Sequence, residues 1–316
     1  MKTALLFPGY GSQFVGMGKE LYDEYRVIQE YFEEASNCLD INFVKLCFAS
    51  SDVELAKMVN AYTSLFLIGC SIYAVLKEHE IVPDIVAGYN NGETTALFAA
   101  GCFSLPDGLY LLNKFCSFYQ ECIDRNDFDA LHISGIATQQ LEDMCKKVSN
   151  DEHKVFIAIY NSPVDHIVTG NRQGLSQLQD MMSDAQEADY LSAEMGLHSS
   201  LMNEVVNLFK DYLEKVDFKD LKIPMISCID GEIITLGTDV KARYIRHIDF
   251  PLDFVRAIKR LIDYDCILIA GQDDTLLQLI KHYYPEKMVM VIAKKADIDT
   301  LKEMVKITLN RITDGD

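Results

Sequence analysis

The stretch Ile85-Val86-Ala87-Gly88-Tyr89-Asn90-Asn91-Gly92-Glu93 decides how this chain reads. Asp84–Ala87 predicts a buried strand, Gly88–Gly92 a sharp turn, and Glu93–Ala100 a helix leaving it. In that order they make a nucleophile elbow, where a tight turn lifts one side chain above the end of a sheet. The glycines leave room for strand and helix to pack closely. The lifted side chain is Asn90. The N–H of Asn91 and the helix N-terminus then face the place where charge would develop on a reacting carbonyl.

Working outward, Ala4–Phe7 predicts a short buried strand closed by a turn at Pro8, Gly9 and Gly11. Amphipathic helices follow through Leu21 and Tyr31, and Tyr62–Leu76 predicts a helix buried on most sides. Asp107–Cys122 predicts another helix. The polar stretch Arg125–Asp129 suits a boundary. Beyond it come a strand (His132–Ala137), a helix (Gln139–Val148), two strands (Val155–Tyr160, His166–Thr169), a helix (Leu175–Ser183) and a strand near Tyr190. That βαββαβ order predicts a ferredoxin-like unit. Ile267–Ile269 and Met288–Ile292 predict further buried parallel strands. The fold class is therefore α/β. A large α/β-hydrolase-like domain (1–126 and 194–316), with a parallel sheet and the elbow turn, carries an inserted ferredoxin-like α+β subdomain (127–193).

Hydrophobic residues make up 49% of the 316-residue chain and charged residues 24%, enough for a sizeable core. A formal net charge of −19 opposes binding to nucleic acid. An acidic partner would need a local basic patch. The candidates are Lys241, Arg243, Arg246, Arg256, Lys259 and Arg260, against the plainer reading of a solvated helix face. Nine cysteines without a CxxC pair, with Cys70, Cys102 and Cys116 in apolar runs, predict free buried thiols. No zinc spacing is present, so no metal is expected. The apolar start, Ala4–Phe7, is too short for a signal peptide or a membrane span, so a cytoplasmic protein with no membrane partner is expected.

Four segments carry a resemblance. Phe7-Pro8-Gly9-Tyr10-Gly11-Ser12-Gln13 resembles the FPGQGSQ motif of malonyl-CoA:acyl carrier protein transacylases and polyketide-synthase acyltransferase domains. Gly88–Glu93 resembles their GHSxGE motif. Gly196-Leu197-His198-Ser199-Ser200-Leu201-Met202 resembles the segment holding their catalytic histidine. Tyr160-Asn161-Ser162-Pro163 with Ile167-Val168-Thr169-Gly170 resembles their small-subdomain segment. Order and spacing fit over nearly the whole chain. The resemblance implies ping-pong acyl transfer from a coenzyme A thioester to a carrier protein through an acyl-serine, with histidine as base and acid. It implies acyl-CoA as ligand, an acyl carrier protein or synthase as partner, and no cofactor. His198 takes the general-base position, and the backbone N–H groups of Tyr10 and Asn91 the oxyanion position. Tyr89, Phe115, Asn161, Leu197 and His247 are the pocket residues.

The chain departs from this pattern where the chemistry sits. Asn90 stands at the serine position. Its amide nitrogen is barely basic and offers no hydroxyl for His198 to deprotonate. In Phe115-Cys116-Ser117-Phe118-Tyr119-Gln120, Phe115 stands where an arginine would clamp a malonyl carboxylate. That clamp's hydrogen bonds are each worth about 1.5–3 kcal/mol. His247 stands for a glutamine that helps hold the histidine, and the family's GPG reads Gly271-Gln272-Asp273. Tyr10 replaces a glutamine that contributes only its backbone N–H. Several departures at one site read as natural degeneracy rather than one trapping substitution. Three functions stay open: a non-catalytic homologue that binds a carrier protein or partner, a slow thioesterase using water activated by His198, and a conventional malonyl or acyl transferase, which Asn90 and Phe115 oppose. For Phe115, a pocket re-lined for an uncharged acyl chain competes with an unused cavity filled by an aromatic ring.

Overall fold

The computed structural model describes residues 1–183, 186–191 and 195–313. Its strands are β1 (Thr3–Phe7), β2 (Ile85–Gly88), β3 (Phe128–Ser134), β4 (Val155–Ser162), β5 (Asp165–Asn171), β6 (Glu187–Tyr190), β7 (Met225–Ile226), β8 (Ile233–Ile234), β9 (Leu252–Asp253), β10 (Cys266–Ala270) and β11 (Met288–Ile292). The larger sheet runs β11-β10-β1-β2-β7-β8, parallel except for the β7–β8 pair at one edge. Its central strands are apolar because both faces are covered. Leu5, Phe7, Val86, Leu268 and Ala270 face one core, which includes the Met58–Glu78 helix. Ala4, Leu6, Ile85, Ala87, Ile267 and Ile269 face a second core with Phe254, Ile258, Leu276 and Ile280. The Met58–Glu78 helix is long and apolar enough to cross a bilayer, yet 83% of its apolar window is buried inside the protein, as expected for a core helix.

The smaller sheet runs β6-β3-β5-β4-β9. Its first four strands pair antiparallel, in the order a βαββαβ unit produces. Thr138–Val148 and Arg172–Asp180 cover one face through Leu141, Met144, Val148, Leu175 and Leu178. Three details differ from the sequence reading. β3 starts at Phe128 and ends at Ser134, because Phe128, Asp129 and Ala130 are taken up by pairing with β5. β5 extends to Asn171 for the same reason. A fifth strand, β9, pairs parallel with β4 through Ile159–Leu252 and Tyr160–Asp253, so residues after 194 complete this sheet. The expected boundary between 193 and 194 lies outside the described residues.

Four of the six residues of the basic cluster are ion-paired. Lys241 pairs with Glu214 (2.8 Å), Arg243 with Asp230 (2.6 Å), Arg256 with Asp253 (2.9 Å) and Arg260 with Glu232 (2.9 Å). Arg246 lies over the Phe250 ring. All nine cysteines are free thiols, and only Cys38 is exposed.

Candidate active site

The elbow forms where β2 ends. A Cβ on Gly88 would lie 2.0 Å from the Glu93 backbone nitrogen, and one on Gly92 would lie 2.2 Å from the Phe7 carbonyl oxygen. Only glycine permits that approach. At the tip, Asn90 has φ of 51°. This left-handed conformation is costly for most side chains and tolerated best by asparagine among the non-glycines. The Asn90 carbonyl accepts the Glu93 N–H (3.0 Å), and the Gly92–Ala99 helix departs from there.

His198, also left-handed at φ 56°, is buried against the elbow. Its N–H donates to the Ile248 carbonyl at 2.8 Å, and its Nδ1 sits 2.6 Å from the His247 carbonyl. A carbonyl only accepts, so Nδ1 carries the proton and Nε2 is the basic nitrogen. The His247 ring stands edge-on to His198, 5.0 Å between centroids, and its Nε2–H donates to the Asn90 carbonyl at 3.1 Å. His247 therefore holds His198 by its backbone and the elbow by its side chain, whereas the sequence reading gave the side chain the first task. Burial, with His198 beside it, lowers the His247 pKa to about 3, so the ring is neutral.

Asn90, Asn91, Phe115, Leu197, His198 and His247 line one cavity of about 30 Å³. That is room for a water or two. Phe115 fills the rest. Its ring lies about 6 Å from those of Tyr62, Tyr119 and Phe209 in an aromatic cluster. Thr94 and Tyr244 also line the cavity, and their hydroxyls bond each other at 3.2 Å.

Tyr10, Tyr89 and Asn161 lie elsewhere, along a cleft of about 810 Å³ between the two sheets. The Tyr89 hydroxyl donates to Asn161 Oδ1 at 2.9 Å, and Asn161 Nδ2 donates to Asp165 at 2.9 Å. The Tyr10 N–H, expected to face an oxyanion, donates to the Asn91 side-chain oxygen at 2.6 Å.

The sequence reading missed Cys228. Glu93 is buried beneath the elbow and accepts both the N–H (3.1 Å) and the thiol of Cys228. Burial raises its carboxyl to about 7. The donor atoms of Glu93, Cys228 and His247 lie within 4.8 Å of one another, a set of the type zinc accepts. In this structure they bond to each other and to the elbow. No local motif announces the cluster, because its members come from three distant segments.

Comparison with known proteins matches the acyl transferase domain family over residues 4–268. A malonyl CoA-acyl carrier protein transacylase of Bacillus subtilis (strain 168) is 32% identical over 263 residues, 83% of each chain. FabD from Acinetobacter baumannii superposes with a TM-score of 0.90 at 24% identity, covering 97% of this chain and 99% of that one. A malonyl-transacylase solved with its type II PKS acyl-carrier protein superposes equally well, at 0.90 and 22% identity, over 96% and 99%. With the elbow and His198 in place, these matches establish that the chain belongs to the acyl transferase domain family, of the malonyl CoA-acyl carrier protein transacylase type.

Proposed function

We propose that this chain serves fatty-acid or polyketide biosynthesis by binding an acyl carrier protein or acyl-CoA without forming an acyl-enzyme. The observation that carries the reading is Asn90 at the elbow tip, above a cavity of about 30 Å³ that Phe115 has filled. His198 has no ionisable hydroxyl to activate at that tip, and the cavity there is small. The relatives' names supply the partners: one is a transacylase of malonyl CoA and acyl carrier protein, and another was solved with its carrier protein. The cleft beside Tyr89 suits the uncharged arm of such a ligand. Among the described residues its lining includes Asp165, Asp273 and Asp274 and no lysine or arginine, so phosphates belong outside it. Incubation with malonyl-CoA or acetyl-CoA should leave the intact mass unchanged. A stable acyl adduct on the chain overturns the proposal.

One observation favours a second reading. The His198 tautomer puts the basic Nε2 at a cavity with room for a water or two, the arrangement a slow thioester hydrolase needs. Serine hydrolases stripped of triad members retain about 10³–10⁴-fold catalysis over water. On this reading acyl-CoA hydrolysis is measurable and disappears in His198→Ala; hydrolysis unchanged by that substitution removes it.

A further inference from the structure

We propose that Asn91 is a built-in plug: its side-chain oxygen occupies the anion-binding position beside the elbow and closes the site a second time. This rests on the non-acylating reading above and adds a second, separable block. The Pro8–Gly11 turn is seated directly on the elbow. A Cβ on Gly9 would lie 2.3 Å from the Tyr89 carbonyl oxygen and 3.2 Å from Asn91 Oδ1. Tyr10 N–H is thereby presented to the elbow, where an oxyanion would need a donor about 3 Å away. The acceptor found there is Asn91 Oδ1, at 2.6 Å. Asn91 is 5% exposed, so bulk water does not compete for that bond.

The elbow backbone cannot turn to avoid this. The Asn90 carbonyl is held by both the Glu93 N–H and the His247 ring. Among the described residues no peptide bond is cis, so the Asn91 N–H points opposite to that carbonyl. The second donor of an anion site is therefore oriented, while the first is taken by the side chain of the same residue. Removing one such donor from working enzymes costs about 10²–10³-fold in rate. A nucleophile restored at position 90 would meet that penalty at once.

The test compares Asn90→Ser with Asn90→Ser/Asn91→Leu, leucine keeping the shape of asparagine without an acceptor. Acetylation at position 90 by 4-nitrophenyl acetate and by acetyl-CoA is followed by mass. The double variant should acylate at least about 10²-fold faster than the single one; equal rates overturn the plug. Amide hydrogen exchange at Tyr10 gives a readout that does not depend on turnover. Asn91→Leu alone should speed exchange at that amide while leaving the β1 amides protected, and unchanged Tyr10 protection overturns the plug even if neither variant acylates. An acyl adduct on the unmodified chain would instead remove the non-acylating reading.

Discussion

Phe115 lines the cavity at the elbow. The phenyl ring is 8% exposed and packs among Tyr62, Tyr119 and Phe209. Phe115→Ala should cost about 3–5 kcal/mol in urea unfolding, because the neighbours cannot close the gap. The same variant should gain weak binding of a small apolar ligand such as benzene, read by NMR. A loss under about 1 kcal/mol with no such binding would mean the ring fills nothing. Asn90, Phe115, Leu197 and His198 were legible as one constellation because each sits in a local motif. The work of His247, Tyr10 and Cys228 was not. Each bonds across a fold-level gap, to Asn90, Asn91 and Glu93 respectively, and no spacing rule encodes such a contact.

At the scale of the element, the elbow rests on two groups, Glu93 and His247, whose titrations oppose each other. Burial lifts Glu93 from 4.5 to about 7, so the folded chain keeps a proton that the unfolded chain has released. That contribution is full below pH 4.5 and is lost as pH rises toward 7. Burial, and then His198, depress His247 from 6.5 to about 3, so the unfolded chain takes a proton that the folded one refuses. That contribution is full above pH 6.5 and is lost as pH falls toward 3. Between 4.5 and 6.5 the slopes cancel, each reaching at most about 1.4 kcal/mol per pH unit. Stability by urea titration there should carry little net slope from this pair in the parent protein. Glu93→Gln should make it rise with pH, and His247→Gln should make it fall. Slopes of one sign in both variants would mean that the two groups do not offset each other. Strand, turn and helix were legible here from Gly88 and Gly92. The start of β3 was not, because Asp127 and Asp129 made Phe128 look like part of a linker.

Across the whole molecule, the two sheets share a core that a strand of two residues, β9, helps to fill. Leu252 is buried in the core shared by Ile159 of the smaller sheet and Ile267 of the larger one. Leu252→Ala should cost about 2–5 kcal/mol, and faster amide exchange should appear in β1 and β5 alike. Loss of protection in one sheet alone would mean that they open independently. The α/β order and the inserted βαββαβ unit were legible because their strands are long enough to carry a pattern. β7, β8 and β9 are too short to show any periodicity, and tertiary pairing alone defines them. The position of β9 also bears on biosynthesis. A ribosome adds roughly 5–20 residues per second, so for some seconds the nascent chain displays β4 with its outer rim bare. During that interval the half-made protein offers a template to any other extended peptide, and a chaperone able to shield that rim would raise the yield of native chains.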